Sequence, residues 1–380
     1  MNLDYEKSLL EKSSRELGIL DSLGLLRGTR IQRVIASPRK LGYRTIFKLA
    51  ARRNPDSEPG DLFRLGMFDP GTHQIGPELD SCPLHHARLR QMLKALRPLL
   101  NQSGLRPYSE SDHTGDLRYV IARTNQTGDQ IIVTWVVTQP HRDLLLTLTE
   151  KLKEEGFPLV VSAMNVHPEP GNAIWGKETV LLTREAFIEE QIAKSTFYLG
   201  PTSFFQVNPW QAENIYLRIE KIAQTLPKKK VAWDLFSGVG TIACFLGHSF
   251  EKVLSVEENS EAASLAAKNV ERNQQGKKIQ ILNTLVEKSA DHFPLEFQKP
   301  DLIVANPSRR GIHADARALI MSALKAQPGS ECIYLSCDVN SFSRDLKYFN
   351  SVGLSLFELQ GFDMHAQTSQ MEWLGRLKMR

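Results

Sequence analysis

The chain has 380 residues, 41% of them hydrophobic and 24% charged. That balance excludes a disordered or collagen-like polymer and leaves room for two or three globular domains. The formal net charge of +4 permits a polyanionic partner without demanding one. The strongest apolar run, Ile131–Val137, has strand length and falls far short of the roughly 18 residues of a membrane helix. The opening stretch, MNLDYEKSLLEKSSREL, is charged throughout and lacks a secretory core. Four cysteines, none spaced as CxxC, argue against a disulfide framework or a zinc ribbon, and no metal site is expected. The expectation is a cytoplasmic protein without membrane association, monomeric by default.

In chain order, the first half reads as short strands separated by turns. They are expected at residues 43–51, 62–68, 117–123, 130–138 and 159–165, each rich in β-branched or aromatic residues. Apolar residues at helical spacing predict helices at 87–100 and 142–155. After residue 190 the rhythm changes to alternation. Strands are predicted at 231–236, 253–256, 279–282, 302–305 and 332–336, with helices at 241–247, 260–273, 313–325 and 341–349. Alternating β and α implies a mainly parallel sheet with helices on both faces. Residues 1–190 are therefore expected to form an α+β domain, and 191–380 a Rossmann-like α/β domain.

The stretch VAWDLFSGVGTIACFL runs strand, glycine turn, helix. Gly238 and Gly240 let the backbone approach a ligand closely. With Ala243 the chain satisfies GxGxxA, and Glu257 ends the next strand 19 residues after Gly238. That is also the pattern of a dinucleotide site, where the acid holds a ribose. Asp234, just before the turn, would repel a pyrophosphate. S-adenosylmethionine has no phosphate and carries a sulfonium and an ammonium, so acidic groups suit it. Glu257 can still take the ribose hydroxyls.

Asn306 and Cys337 each follow a later strand, and ligand sites in open parallel sheets lie beyond those strand ends. Some amine-methylating enzymes place an aromatic after Asn-Pro, but here Ser308 and Arg309 follow, so no base-stacking ring is available. Arg309 and Arg310 suit phosphate contacts or plain solvated charge. Taken alone, Cys337 reads as a nucleophile or as a small buried hydrophobe, and Glu372 as a base or as the outer face of a strand.

Together these segments resemble the S-adenosylmethionine-dependent RNA uracil-5-methyltransferases, and most of all the bacterial enzymes acting on 23S ribosomal RNA. The resemblance rests on Ser203-Phe204-Phe205-Gln206-Val207-Asn208-Pro209, Asp234-Leu235-Phe236-Ser237-Gly238-Val239-Gly240, Val256-Glu257, Asn306-Pro307-Ser308-Arg309-Arg310-Gly311, Ser336-Cys337 and Met371-Glu372. It implies that Gln206, Phe236, Gly238, Glu257 and Asn306 line the S-adenosylmethionine site. It makes Cys337 the nucleophile, Glu372 the base and RNA the partner, ribosomal RNA first and transfer RNA as the alternative. The first half would bind RNA, with Arg44, Lys48, Arg52 and Arg53 as candidate contacts.

The chain departs from the family in having Asp338 where Asn is usual, which adds negative charge beside the thiol, and Ala366-Gln367-Thr368 where Pro-His-Thr is usual. Those departures leave open an inactive RNA-binding assembly factor. Many relatives carry a [4Fe–4S] cluster on four cysteines. Here only Cys82 matches, and one thiolate cannot hold a cluster, so none is expected.

Overall fold

The computed structural model describes residues 4–54, 61–69, 71, 72, 74–76 and 81–380. The elements begin with α1 (Tyr5–Ser22), β1 (Arg30–Ile31), β2 (Ile46–Arg53), β3 (Phe63–Gly66), α2 (Ala87–Asn101), β4 (Leu117–Thr124) and β5 (Ile131–Val137). They continue with α3 (Arg142–Glu154), β6 (Leu159–Val166), β7 (Glu178–Leu181), β8 (Ile188–Ile192), β9 (Ser195–Leu199) and α4 (Pro209–Thr225). Next come β10 (Val231–Leu235), α5 (Thr241–Gly247), β11 (Lys252–Glu257), α6 (Ser260–Arg272), β12 (Ile279–Asn283) and β13 (Leu302–Ala305). The chain ends with α7 (Ala314–Ala326), β14 (Glu331–Ser336), α8 (Val339–Ser351), β15 (Leu354–Phe362) and β16 (Glu372–Met379). Among the described residues, no helix is long and apolar enough to cross a membrane.

Two compact units emerge. One comprises Leu41–Gln191 and Tyr198–Thr202; the other comprises the chain up to Lys40, Ile192–Phe197 and Ser203–Arg380. In the first, a six-stranded sheet runs β3-β2-β4-β5-β6-β7. Its pairs are antiparallel except β5·β6, whose parallel partners are linked across α3. Leu89, Met92 and Leu96 of α2 and Leu145 and Leu148 of α3 share one core with Phe47, Leu49, Val133 and Trp135 of the sheet. The buried Trp135 indole donates to Ser162 Oγ at 3.1 Å, as a buried N–H requires.

In the second unit, an eight-stranded sheet has the order β1-β15-β16-β14-β13-β10-β11-β12. Strands β14, β13, β10, β11 and β12 are parallel, and β16 lies antiparallel between β14 and β15. Every residue of β10 and of β13 is buried, because helices cover both faces of such a sheet. Strand order reverses around β10, and that reversal opens a crevice at its carboxyl end.

The division expected at 1–190 and 191–380 needs redrawing. The segment up to Lys40 belongs to the α/β unit, where β1 pairs in parallel with β15 (Arg30 with Glu358, Ile31 with Leu359). Helix α1 escapes a periodicity reading because its buried face carries Lys12 and Glu16 beside Tyr5, Leu9 and Leu20. Strand β15 and helix α4 were likewise not anticipated, and β16 only as a strand around Glu372.

Candidate active site

The turn after β10 is held at several points. Phe236, Gly238 and Gly240 have φ of 63°, 56° and 79°, so three residues of five are left-handed. For Phe236 that conformation carries strain, which the surrounding contacts must hold. Glu257 supplies one of them: Oε2 accepts from Gly238 N–H at 2.8 Å and Oε1 from Asn259 N–H at 2.9 Å. Asn269, fully buried on α6, donates to Val239 O at 2.9 Å. A Cβ on Gly240 would stand 3.1 Å from that of Ala266, so a small residue is needed there. Above Gly238 no atom lies within 4 Å of where a Cβ would point, and Ser237 Oγ is buried beside it without a hydrogen bond.

Asp234 does not face this opening, contrary to the sequence reading. It is fully buried and accepts from Ala243 N–H at 2.8 Å, tying β10 to α5. Burial, reinforced by the charge of Glu257, pushes its carboxyl up to about 8. It is therefore largely protonated at pH 7, with Oδ1 buried and without a hydrogen-bond partner.

Asn306 ends β13, half-buried, and its N–H donates to Leu235 O at 3.3 Å, so it adjoins the turn. The loop behind it is fixed by Asp345, fully buried, which accepts from Ile312 N–H and Tyr334 Oη, each at 2.8 Å. Gln206 is half-buried just ahead of α4. Two residues on, Asn208 explains part of that unusual segment. Its Oδ1 caps α4 at Gln211 N–H (3.2 Å), and its Nδ2 donates to Ser37 Oγ and Met364 O at 3.0 and 3.1 Å.

Cys337 and Glu372 come together. Ser336 pairs with Trp373 across β14 and β16, so Cys337 and Glu372 stand one residue beyond, at the same end of adjacent antiparallel strands. The free thiol is half-buried, and its pKa is pushed up to about 11, first by burial and then by the charge of Glu372. Glu372 is 4% exposed and pushed up to about 8 by burial. The charge of Arg309 opposes both shifts, while its Nη2 donates to Gln370 Oε1 at 2.9 Å. Its exposed guanidinium is thus close enough to the thiol and the carboxyl for its charge to act on both. Asp338 also departs from expectation: it caps α8 through Ser341 N–H at 2.8 Å, and the carboxylate that burdens the thiol is Glu372.

The strongest residues missed by sequence reasoning lie on α1. Lys12 Nζ, 4% exposed, donates to Asp363 Oδ1 at 2.6 Å and to the carbonyls of His365, Thr368 and Gln370 at 3.1, 3.2 and 3.2 Å. Tyr5 Oη donates to Asp363 Oδ2 at 2.7 Å, and Glu16 accepts from the Trp373 indole at 2.7 Å. One helix thereby holds both the loop leading to Glu372 and the residue after it.

Of the four basic candidates in the first unit, Arg52 is corrected. It is buried, donates to Ala51 O and Arg118 O at 3.0 and 2.9 Å, and pairs with Glu110. Its cation is satisfied inside the unit. Lys48 and Arg53 are exposed and Arg44 half-buried. Among the described residues, no cluster of three or more His, Cys, Asp or Glu could hold a metal ion.

No family model matches the chain. An uncharacterized RNA methyltransferase of Gloeobacter violaceus is 29% identical over 376 residues, covering 99% of this chain and 79% of its own. One of Oceanobacillus iheyensis is 26% identical over 383 residues, covering 100% and 80%. Both of these relatives are named as RNA methyltransferases. Among solved structures, the tRNA (uracil-54, C5)-methyltransferase of Pyrococcus abyssi in complex with S-adenosyl-L-homocysteine superposes with a TM-score of 0.73. It is 21% identical, and the match covers 99% of this chain and 84% of that one. The eight-stranded sheet has the S-adenosylmethionine-dependent methyltransferase fold.

The arrangement around Cys337 makes a kinetic prediction. Arg309→Gln removes the cation that favours the thiolate. Iodoacetamide alkylation of the Cys337 peptide at pH 8, followed by mass spectrometry, is expected to slow by about three- to tenfold. An unchanged rate would remove Arg309 from the site.

Proposed function

We propose that this protein transfers a methyl group from S-adenosylmethionine to C5 of a uridine in RNA, through a covalent adduct between Cys337 and C6 that Glu372 resolves. The observation that carries the reading is the pairing of Cys337 with Glu372 at adjacent strand ends, with the charge of Arg309 acting on both. Uracil C5 is a poor nucleophile on its own. Adding the Cys337 thiolate to C6 moves the C5–C6 π electrons toward C5 and O4. Bound S-adenosylmethionine supplies an electrophilic methyl to that carbon. Glu372 then takes the C5 proton, the C–H pair reforms the C5–C6 double bond, and the thiolate leaves.

The two groups must be charged at different moments. A carboxyl at about 8 is largely protonated at neutral pH, which lessens its repulsion of the thiolate; it must release that proton to solvent before it can accept the one from C5. Arg309 favours the thiolate early and the carboxylate later. C5 and C6 must both reach the pocket, so the base has to leave its stack.

The residues around the glycine turn fit S-adenosylmethionine. The space above Gly238 admits the ligand's approach, and Ser237 Oγ offers an unmet polar group beside it. Phe236, Asn306 and Gln206 would complete the wall. Glu257 braces the turn through both oxygens, each of which keeps lone-pair capacity for a ribose hydroxyl.

Ribosomal RNA is the substrate class favoured by the sequence resemblance, with transfer RNA second. The test is incubation with labelled S-adenosylmethionine and each RNA in turn, followed by nucleoside mass spectrometry. The reading expects 5-methyluridine. A methylated exocyclic amine or ribose, or no transfer to either RNA, would reject it.

A further inference from the structure

We propose that Arg44, His85 and Arg90 form a phosphate site on the smaller unit, one that takes a backbone phosphate of the RNA; the choice of RNA rests on the function proposed above. Main-chain contacts bring the three together. Arg44 and His85 form a parallel β-bridge, Arg44 N–H donates to Leu84 O at 2.9 Å, and His86 N–H donates to Arg44 O at 2.8 Å. His86 is the N-cap of α2, and Arg90 sits on the following turn, its N–H on His86 O at 3.1 Å.

What marks the cluster is unmet hydrogen-bonding capacity. His85 is 3% exposed, and its Nδ1 has no partner. The Nε atoms of the half-buried Arg44 and Arg90 are likewise buried and unpartnered. Neither arginine makes an ion pair among the described residues. Other arginines of this unit are matched with acids: Arg52 with Glu110, Arg97 with Asp61 and Arg106 with Asp116. Arg118 instead donates to the carbonyls of His167, Glu169 and Gly171; Arg52 and Arg118 also carry an unpartnered buried Nε, but on guanidinium groups whose other nitrogens are engaged.

Burial and the two guanidinium charges hold the His85 imidazole down at about 4, and no carboxylate offsets them. The 15-residue helix α2 adds its own N-terminal partial charge, with no acid in its first turn to cancel it. Unpaired buried donors are costly, and a bound anion would satisfy the two guanidinium N–H groups, with His85 Nδ1 as a third donor in the tautomer that carries its proton there. Phosphate fits best, because planar guanidinium groups match its oxygens two at a time. Phosphate contacts orient an RNA without reading its sequence, which is what a unit presenting a uridine to a separate catalytic site must do.

Two measurements on the full chain test this. In the first, inorganic phosphate is titrated at constant ionic strength while the His85 ring is followed by nitrogen-15 NMR. A saturable shift is expected in the wild type and its loss in Arg90→Gln; no shift in the wild type overturns the site. In the second, a labelled RNA hairpin with a uridine loop is bound across a salt series. Arg90→Gln is expected to weaken binding about five- to twentyfold and to lower the log–log salt slope by about 0.7 to 0.9, one phosphate's share. Arg90→Lys should largely restore the slope, and S-adenosylmethionine affinity should stay unchanged. An unchanged slope in Arg90→Gln, with the His85 shift present, would mean the site holds free phosphate and would overturn the assignment to RNA. Failure of the uridine reading would show instead as absent methyl transfer in the wild type, with both measurements intact.

Discussion

Cys337→Ala is expected to abolish methyl transfer, by on the order of 10^4-fold or more, while leaving S-adenosylmethionine affinity nearly intact. The separation follows from where the parts sit in the sheet. The glycine turn and Glu257 end β10 and β11; the thiol follows β14, with β13 between it and β10. None of the hydrogen bonds that brace the turn involves Cys337, so removing the sulfur deletes the nucleophile and spares the cofactor wall. Cys244 and Cys332 cannot substitute, since burial pushes both thiols up to about 12 within helix and strand. Titration calorimetry gives the affinity and a labelled-methyl assay gives the rate. Residual transfer within tenfold of the wild type would remove Cys337 from the chemistry.

Lys12→Met is expected to cost about 3–5 kcal/mol of stability, the usual consequence of stranding one charge of a buried pair. Asp363 is fully buried, and without Lys12 its remaining side-chain donor is Tyr5 Oη. The carbonyls of His365, Thr368 and Gln370 lose the same ammonium. Urea unfolding should show the loss, and adding Asp363→Asn should recover part of it, because the stranded charge is then gone. A loss below about 1 kcal/mol would place the pair in the class of surface bridges. The same loop delivers Glu372, so the surviving folded fraction should also turn over more slowly.

The parallel core of the larger unit was legible because its strands are short apolar runs bounded by turn residues and alternate with amphipathic helices. All five strands and all four helices expected after residue 190 appear, with ends moved by a residue or two, chiefly where caps such as Asp338 extend α8 toward its start. The N-terminal helix was not legible as part of that unit. Lys12 and Glu16 occupy its buried face, where a periodicity reading counts charges as solvent-exposed. Their partners, Asp363 and Trp373, lie about 350 residues away in sequence.

At the site, residue type and order singled out Cys337 and Glu372, but their adjacency comes from the antiparallel pairing of β14 with β16, which no local pattern announces. Arg309 is exposed, as one of the two sequence readings had it; what no local pattern announces is that its charge also bears on Cys337 and Glu372. Asp234 was misread. An acid before a glycine turn looks like a ligand group, yet it serves the backbone of α5.

The central claim is that Glu372 acts after the methyl has been transferred, and Glu372→Gln tests it directly. In that variant the thiolate can still add to C6 and C5 can still be methylated. The C5 proton then has no acceptor, so the bond to Cys337 cannot break. Incubation with RNA and labelled S-adenosylmethionine, followed by a denaturing gel, is predicted to give a protein–RNA band carrying the methyl label. That band should be absent from the Cys337→Ala, Glu372→Gln double variant. Normal turnover by Glu372→Gln, or an adduct that survives loss of Cys337, would contradict the account.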